Sequence, residues 1–112
     1  MAVTHTTDAN LLLETAQHEC IILKYHTDEC GINCMKLIPV YERLSEETKY
    51  KSIVFLRINA DSNPVAKTFI LNKKAPIVTI YHKGRLVESR SVTNETEMTQ
   101  LLNLLVNEKS RI

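Results

Sequence analysis

Cys20-Ile-Ile-Leu-Lys-Tyr-His-Thr-Asp-Glu-Cys30-Gly-Ile-Asn-Cys34-Met-Lys-Leu-Ile-Pro39 is the stretch that decides how this chain is read. Ile21, Ile22, Leu23 and Tyr25 form a β-branched and aromatic run of the kind buried on both faces of a mostly parallel sheet. Asp28, Glu29, Gly31 and Asn33 are turn formers, so the strand ends near His26 or Thr27. From Met35, apolar residues recur at Leu37, Ile38, Tyr41 and Leu44 along one helical stripe. Two thiols are therefore expected at the carboxyl end of a core strand, at the mouth of a helix. In open α/β sheets, ligands and chemistry gather there.

Working outward, Ala2 to His5 is a short edge strand. Thr7 or Asp8 caps a helix whose apolar face is Leu11, Leu12 and Ala16. The helix after the cysteines runs from about Asn33 to Thr48 and contains Pro39, which removes one backbone hydrogen bond and kinks it. Ser52 to Asn59 is the next strand, with Arg57 its only charge. Asn63 caps a helix that opens on Pro64 and carries Val65, Ala66, Phe69 and Ile70. Ile77 to Tyr81 and Arg85 to Ser91 are strands joined at Lys83-Gly84. Asn94 and Glu97 have capping-box spacing ahead of a last helix with Leu101, Leu102, Leu104 and Leu105. The order β-α-β-α-β-α-β-β-α predicts an α/β fold, a central mixed sheet flanked by helices.

With 112 residues the chain is expected to form a single domain, 1–112, with one self-supporting core. A net charge of +1 gives no case for nucleic acid or an anionic membrane surface. No apolar run approaches the roughly 18 residues that span a bilayer. The N-terminal segment has neither a basic n-region nor an apolar h-region, so the chain is read as cytoplasmic. Three cysteines are an odd count, against a structural disulfide framework. In a reducing compartment a close pair is catalytic or metal-binding.

At these residues the sequence resembles the thioredoxin family, over nearly its whole length. In that family an apolar strand leads to Cys-Gly-Pro-Cys, and a proline falls five residues after the second cysteine; Pro39 stands five after Cys34. Asn59-Ala-Asp61-Ser-Asn63-Pro64 looks like the family's strand-to-helix turn, Ala75-Pro76-Ile77 occupies the place of its cis-proline, and His82-Lys-Gly84-Arg looks like its last hairpin turn. The loop departs, with three residues between the thiols instead of two.

The resemblance implies a thioredoxin-like fold and thiol–disulfide exchange with protein disulfide substrates, supplied with electrons by a partner reductase. No bound cofactor and no metal are called for, and a monomer is expected. Cys30 is the candidate attacking thiol, placed at the helix N-cap where unpaired N–H groups and the helix dipole favour a thiolate. Cys34, one turn on and less exposed, is the resolving thiol. The cis-Pro76 position, with the Ala75 backbone before it, is the expected substrate-binding edge.

Two further positions depart from the family. Lys24 stands where the family carries a buried Asp that helps take the proton from the resolving cysteine. A lysine either stabilises a thiolate at Cys34, acts as a base if burial lowers its pKa, or snorkels to solvent and does nothing. Glu29, with His26, replaces the family's tryptophans, and Asp28 and Glu29 oppose a Cys30 thiolate. Two other functions compete. C-x-x-x-C on this fold resembles the copper-binding Sco proteins, with His26 or His82 as third ligand and soft thiolates suited to Cu(I). A redox-inactive thioredoxin-like adaptor is the other. Cys20 is read as a packing residue.

Overall fold

The computed structural model describes residues 3–73 and 76–110, apart from the side chains of Asn33, Lys109 and Ser110. Its elements are β1 (Val3–Thr6), α1 (Asp8–Gln17), β2 (Cys20–His26), α2 (Ile32–Ser45), β3 (Val54–Asn59), α3 (Pro64–Ile70), β4 (Ile77–His82), β5 (Arg85–Ser91) and α4 (Glu95–Ser110). This is the order expected from the sequence. The five strands line up as β1-β3-β2-β4-β5. β1, β3 and β2 are parallel, β4 pairs antiparallel with β2, and β5 pairs antiparallel with β4, so β2 lies at the centre of a mixed sheet.

Alternation along β2 divides the core into two layers. Ile22 points to the face covered by Leu37, Tyr41 and Leu44 of α2 and Met98, Leu101, Leu102 and Leu105 of α4. Ile21, Leu23 and Tyr25 point the other way, against Ala66 and Ile70 of α3. Ile21, Ile22 and Leu23 are wholly buried, which explains why β2 reads as a continuous apolar run. The Tyr41 hydroxyl lies 2.6 Å from the Leu56 carbonyl and 2.9 Å from that of Ile22, and its one proton ties α2 to the sheet. Lys83 and Gly84 both take positive φ, 53° and 79°, the signature of a tight hairpin whose twist matches its strands.

Several local expectations are corrected. On α1, Leu12 is 77% exposed and Ala16 is exposed, leaving Leu11 partly buried against the core layer that α3 also covers. Thr7 is the cap of α1, accepting from the Asn10 N–H at 3.2 Å. Asn63 occupies the N-cap position of α3, but its side chain makes no capping bond. It accepts from the Asp8 N–H at 2.9 Å, and the Asp8 carboxylate caps α3 in return, accepting from Val65 at 2.8 Å and Ala66 at 3.0 Å. A charged acceptor at a helix N-terminus is better placed than a neutral amide. The long helix stops at Ser45, because Thr48–Tyr50 forms a separate 3₁₀ turn that buries Tyr50, and β3 starts at Val54, two residues later than expected. The capping box holds: Asn94 Oδ1 accepts from Glu97 N–H at 2.9 Å, and the Glu97 carboxylate accepts from Thr93 N–H at 2.7 Å. Among the described residues, no helix is long and apolar enough to cross a membrane.

Candidate active site

Beyond the end of β2, Thr27 opens a 3₁₀ turn over Asp28–Cys30 and accepts from the Cys30 N–H through its hydroxyl at 3.1 Å. The Asp28 N–H donates to the Asp61 carboxylate at 2.7 Å, pinning this turn to the loop after β3. Gly31 then reverses the chain at φ 55°, ψ −129°, and serves as the N-cap of α2. That backbone region is open to glycine and strained for residues with a Cβ. Cys30 thus stands one residue before the cap expected for it, because the glycine is needed at the reversal itself. Cys30 and Cys34 are joined as a disulfide with Cα atoms 5.5 Å apart, within the ordinary span of such bonds. Cys34 is 5% exposed and Cys30 is half-buried.

Lys24 lies beneath α2 and is 2% exposed, so it does not snorkel. Its ammonium sits 5.7 Å from the centre of the Tyr41 ring. Burial lowers its pKa from 10.5 to about 8, the Arg57 charge adds to the lowering, and Glu42 opposes it. Strand register brings further basic side chains alongside: His5 of β1 pairs with Arg57 of β3, and Arg57 pairs with Lys24 of β2. His26 comes two residues after Lys24 on the same face. Its pKa is lowered by burial first, then by Lys24, His5 and Arg57, with Asp28 opposing. The His5 and His26 rings meet edge-on, centroids 6.4 Å apart.

These four side chains, with Thr27, Asp28, Gly31, Cys34, Met35 and Ile38, line a cavity of about 380 Å³ behind the disulfide. Met35 and Ile38 are exposed at its lip. His5 and Arg57 were not singled out from the sequence. A lone arginine inside an otherwise apolar strand was the signal for Arg57, whereas His5 becomes visible only through the register.

Of the other expected site residues, Glu29 is exposed on the turn. Pro76 is buried, its carbonyl accepting from Val92 N–H at 2.9 Å. Because Ile77 pairs with Tyr25, Pro76 lies at the same end of the sheet as the cysteines. Ala75 lies outside the described residues, and so does the geometry of its bond to Pro76. His82 pairs with Cys20 at the opposite end of β2. There, ligand atoms of Glu19, Cys20 and His82 lie within 4.8 Å of one another. His82 is therefore no third ligand for the Cys30–Cys34 pair.

The family model for thioredoxin matches residues 2–107. The chain belongs to the thioredoxin family. It is 26% identical to a thioredoxin of Ictalurus punctatus over 91 residues, 81% of this chain and 84% of that protein. Among solved structures, thioredoxin of Malassezia sympodialis superposes with a TM-score of 0.81 at 12% identity, covering 94% of each chain. Thioredoxin of Plasmodium falciparum superposes at 0.79 and 23% identity, over 90% of this chain and 96% of that one. At these identities the structural likeness shows the thioredoxin fold. Family membership and the Cys30–Cys34 disulfide together support thiol–disulfide oxidoreductase chemistry at the general level.

Proposed function

We infer that this thioredoxin-family chain exchanges its Cys30–Cys34 couple with disulfides in protein substrates. The observation that carries the reading is the asymmetric pair itself, one half-buried sulfur and one buried sulfur closed across the first turn of α2. In the reducing direction the Cys30 thiolate attacks one sulfur of a substrate disulfide. A mixed disulfide forms and the substrate's first thiolate leaves. The Cys34 thiolate then attacks Cys30 Sγ, closing the pair and releasing the second substrate thiolate. Two electrons have passed to the substrate, and a partner reductase returns them.

Lys24 changes how the second step is prepared. Below about pH 8 it is an ammonium, so it cannot take the proton from Cys34. Its charge, with that of Arg57, instead favours the Cys34 thiolate directly. Glu29 and Asp28 stand on the Cys30 side and hold back its thiolate. Pro76 and the Ala75 backbone supply the edge along which an extended substrate lies, and Met35 and Ile38 supply apolar contact beside it. The reading carries with it one domain acting as a monomer in a reducing, cytoplasmic setting.

A trapping experiment tests it. Cys34→Ser, incubated with a disulfide-bearing protein substrate, should accumulate a mixed disulfide at Cys30 that dithiothreitol releases. Cys30→Ser should trap nothing. Equal trapping by both variants, or none by either, overturns the assignment.

A further inference from the structure

The basic groups beneath α2 are only partly balanced by the protein. Arg57 and Lys24 are side by side in the strand register, with the exposed His5 beyond Arg57, and like charges directly opposite one another on adjacent strands repel. Among the described residues, no carboxylate forms an ion pair with these three or with His26. His26 Nδ1 and Arg57 Nε are buried without a hydrogen-bond partner. The ammonium of Lys24, 98% buried as a residue, lies against the Tyr41 ring, and Glu42 acts on it through space without forming an ion pair. Asp28 is the carboxylate lining the cavity, and it belongs to an exposed residue at the rim.

A buried cation left without a partner costs several kcal/mol, and buried donors are ordinarily satisfied. One buried ammonium, with unsatisfied donor atoms on the partly buried Arg57 and His26, around one opening of about 380 Å³ describes a site from which a counter-charge is missing. The opening is roughly ten times the share of volume of one water, ample for a small ion with part of its hydration.

We propose that the cavity behind the disulfide binds a small oxyanion of the phosphate or sulfate type, held by Lys24 and Arg57 with His26 as a further donor. The anion sits where charge develops when Cys34 becomes a thiolate. The two repel, so the anion binds the disulfide form more tightly than the reduced form. Raising its concentration then lowers the midpoint potential of the couple. This redox consequence rests on the function proposed above; the binding itself does not.

The test uses the oxidised protein, titrated with sodium phosphate at ionic strength held constant with sodium chloride. The ¹⁵N resonances of the His26 ring and of Arg57 Nε report occupancy. The expected result is a saturable one-to-one shift, weakened at least tenfold in Lys24→Met and in Arg57→Gln. Shifts that follow ionic strength alone would mean an adventitious ion only and would overturn the proposal. Native affinity in the folded variants would overturn it too. Should Lys24→Met not fold, Arg57→Gln decides by itself. No electron transfer enters the measurement, so its failure leaves the oxidoreductase reading untouched, and a redox-inert cysteine pair would leave the site intact.

Discussion

Replacing Lys24 by Met should make the oxidised protein more stable, and the gain should shrink as pH rises. The residue is buried and its pKa falls from 10.5 to about 8 on folding. A lysine whose pKa is lowered binds its proton less tightly in the folded chain, so its ammonium opposes folding wherever both states are charged. The penalty is full below about pH 8, declines between about 8 and 10.5, and is gone above that. Integrating across that interval gives about 3 kcal/mol at pH 7 and about half of it near pH 9. Methionine matches the length of the aliphatic stem and carries no charge, and replacing buried charge by apolar side chains is often stabilising. The assay is urea unfolding of both proteins, disulfide intact, at a series of pH values in chloride buffers free of phosphate and sulfate. Taking the difference cancels the buried tyrosines, whose titration at high pH acts on both. A variant no more stable than the native protein at pH 7, or a difference independent of pH, would refute the claim that an unpaired ammonium lies under α2.

Other substitutions probe the supports of the site. Tyr41→Phe removes the hydroxyl that bridges α2 to the Leu56 and Ile22 carbonyls and leaves a buried acceptor short of a donor, costing about 1–3 kcal/mol in urea unfolding. Gly31→Ala meets no closer atom than 3.9 Å, yet must hold φ 55°; the strain should cost about 1–3 kcal/mol, seen as a lowered melting temperature. Asp8→Ala deprives α3 of both capping bonds and should lower stability by about 1 kcal/mol, whereas Asn63→Ala should act mainly through the lost bond to Asp8. Each loss is checked by the shift of the urea midpoint at constant slope.

How far the fold was legible follows from which signals are local. The β2 run, the Gly84 turn and the Asn94–Glu97 capping box are written within a few residues, and each was placed correctly. Leu12 and Ala16 show the opposite: helical spacing marks a face, but what covers the face depends on where α1 docks. The exchange of caps between Asp8 and Asn63 joins residues 55 apart, and nothing near either one announces it. At the site, the cysteines and Lys24 stood out as a pattern and as a departure from that pattern. The shared surroundings of Lys24 did not, since His5 and Arg57 reach it only through parallel pairing in the sheet. The one-residue displacement of Cys30 from the helix cap had a local cause in Gly31, whose backbone demand outranked the electrostatic preference of the thiol.

The central claim is that Cys30 and Cys34 form one working redox couple. A redox titration followed by alkylation, intact mass and peptide mapping tests it most directly. The account predicts that both thiols disappear together in a single two-electron transition, with Cys20 reacting as a thiol throughout. Cysteines 30 and 34 that oxidise independently, or that remain thiols where an ordinary dithiol closes, would contradict it.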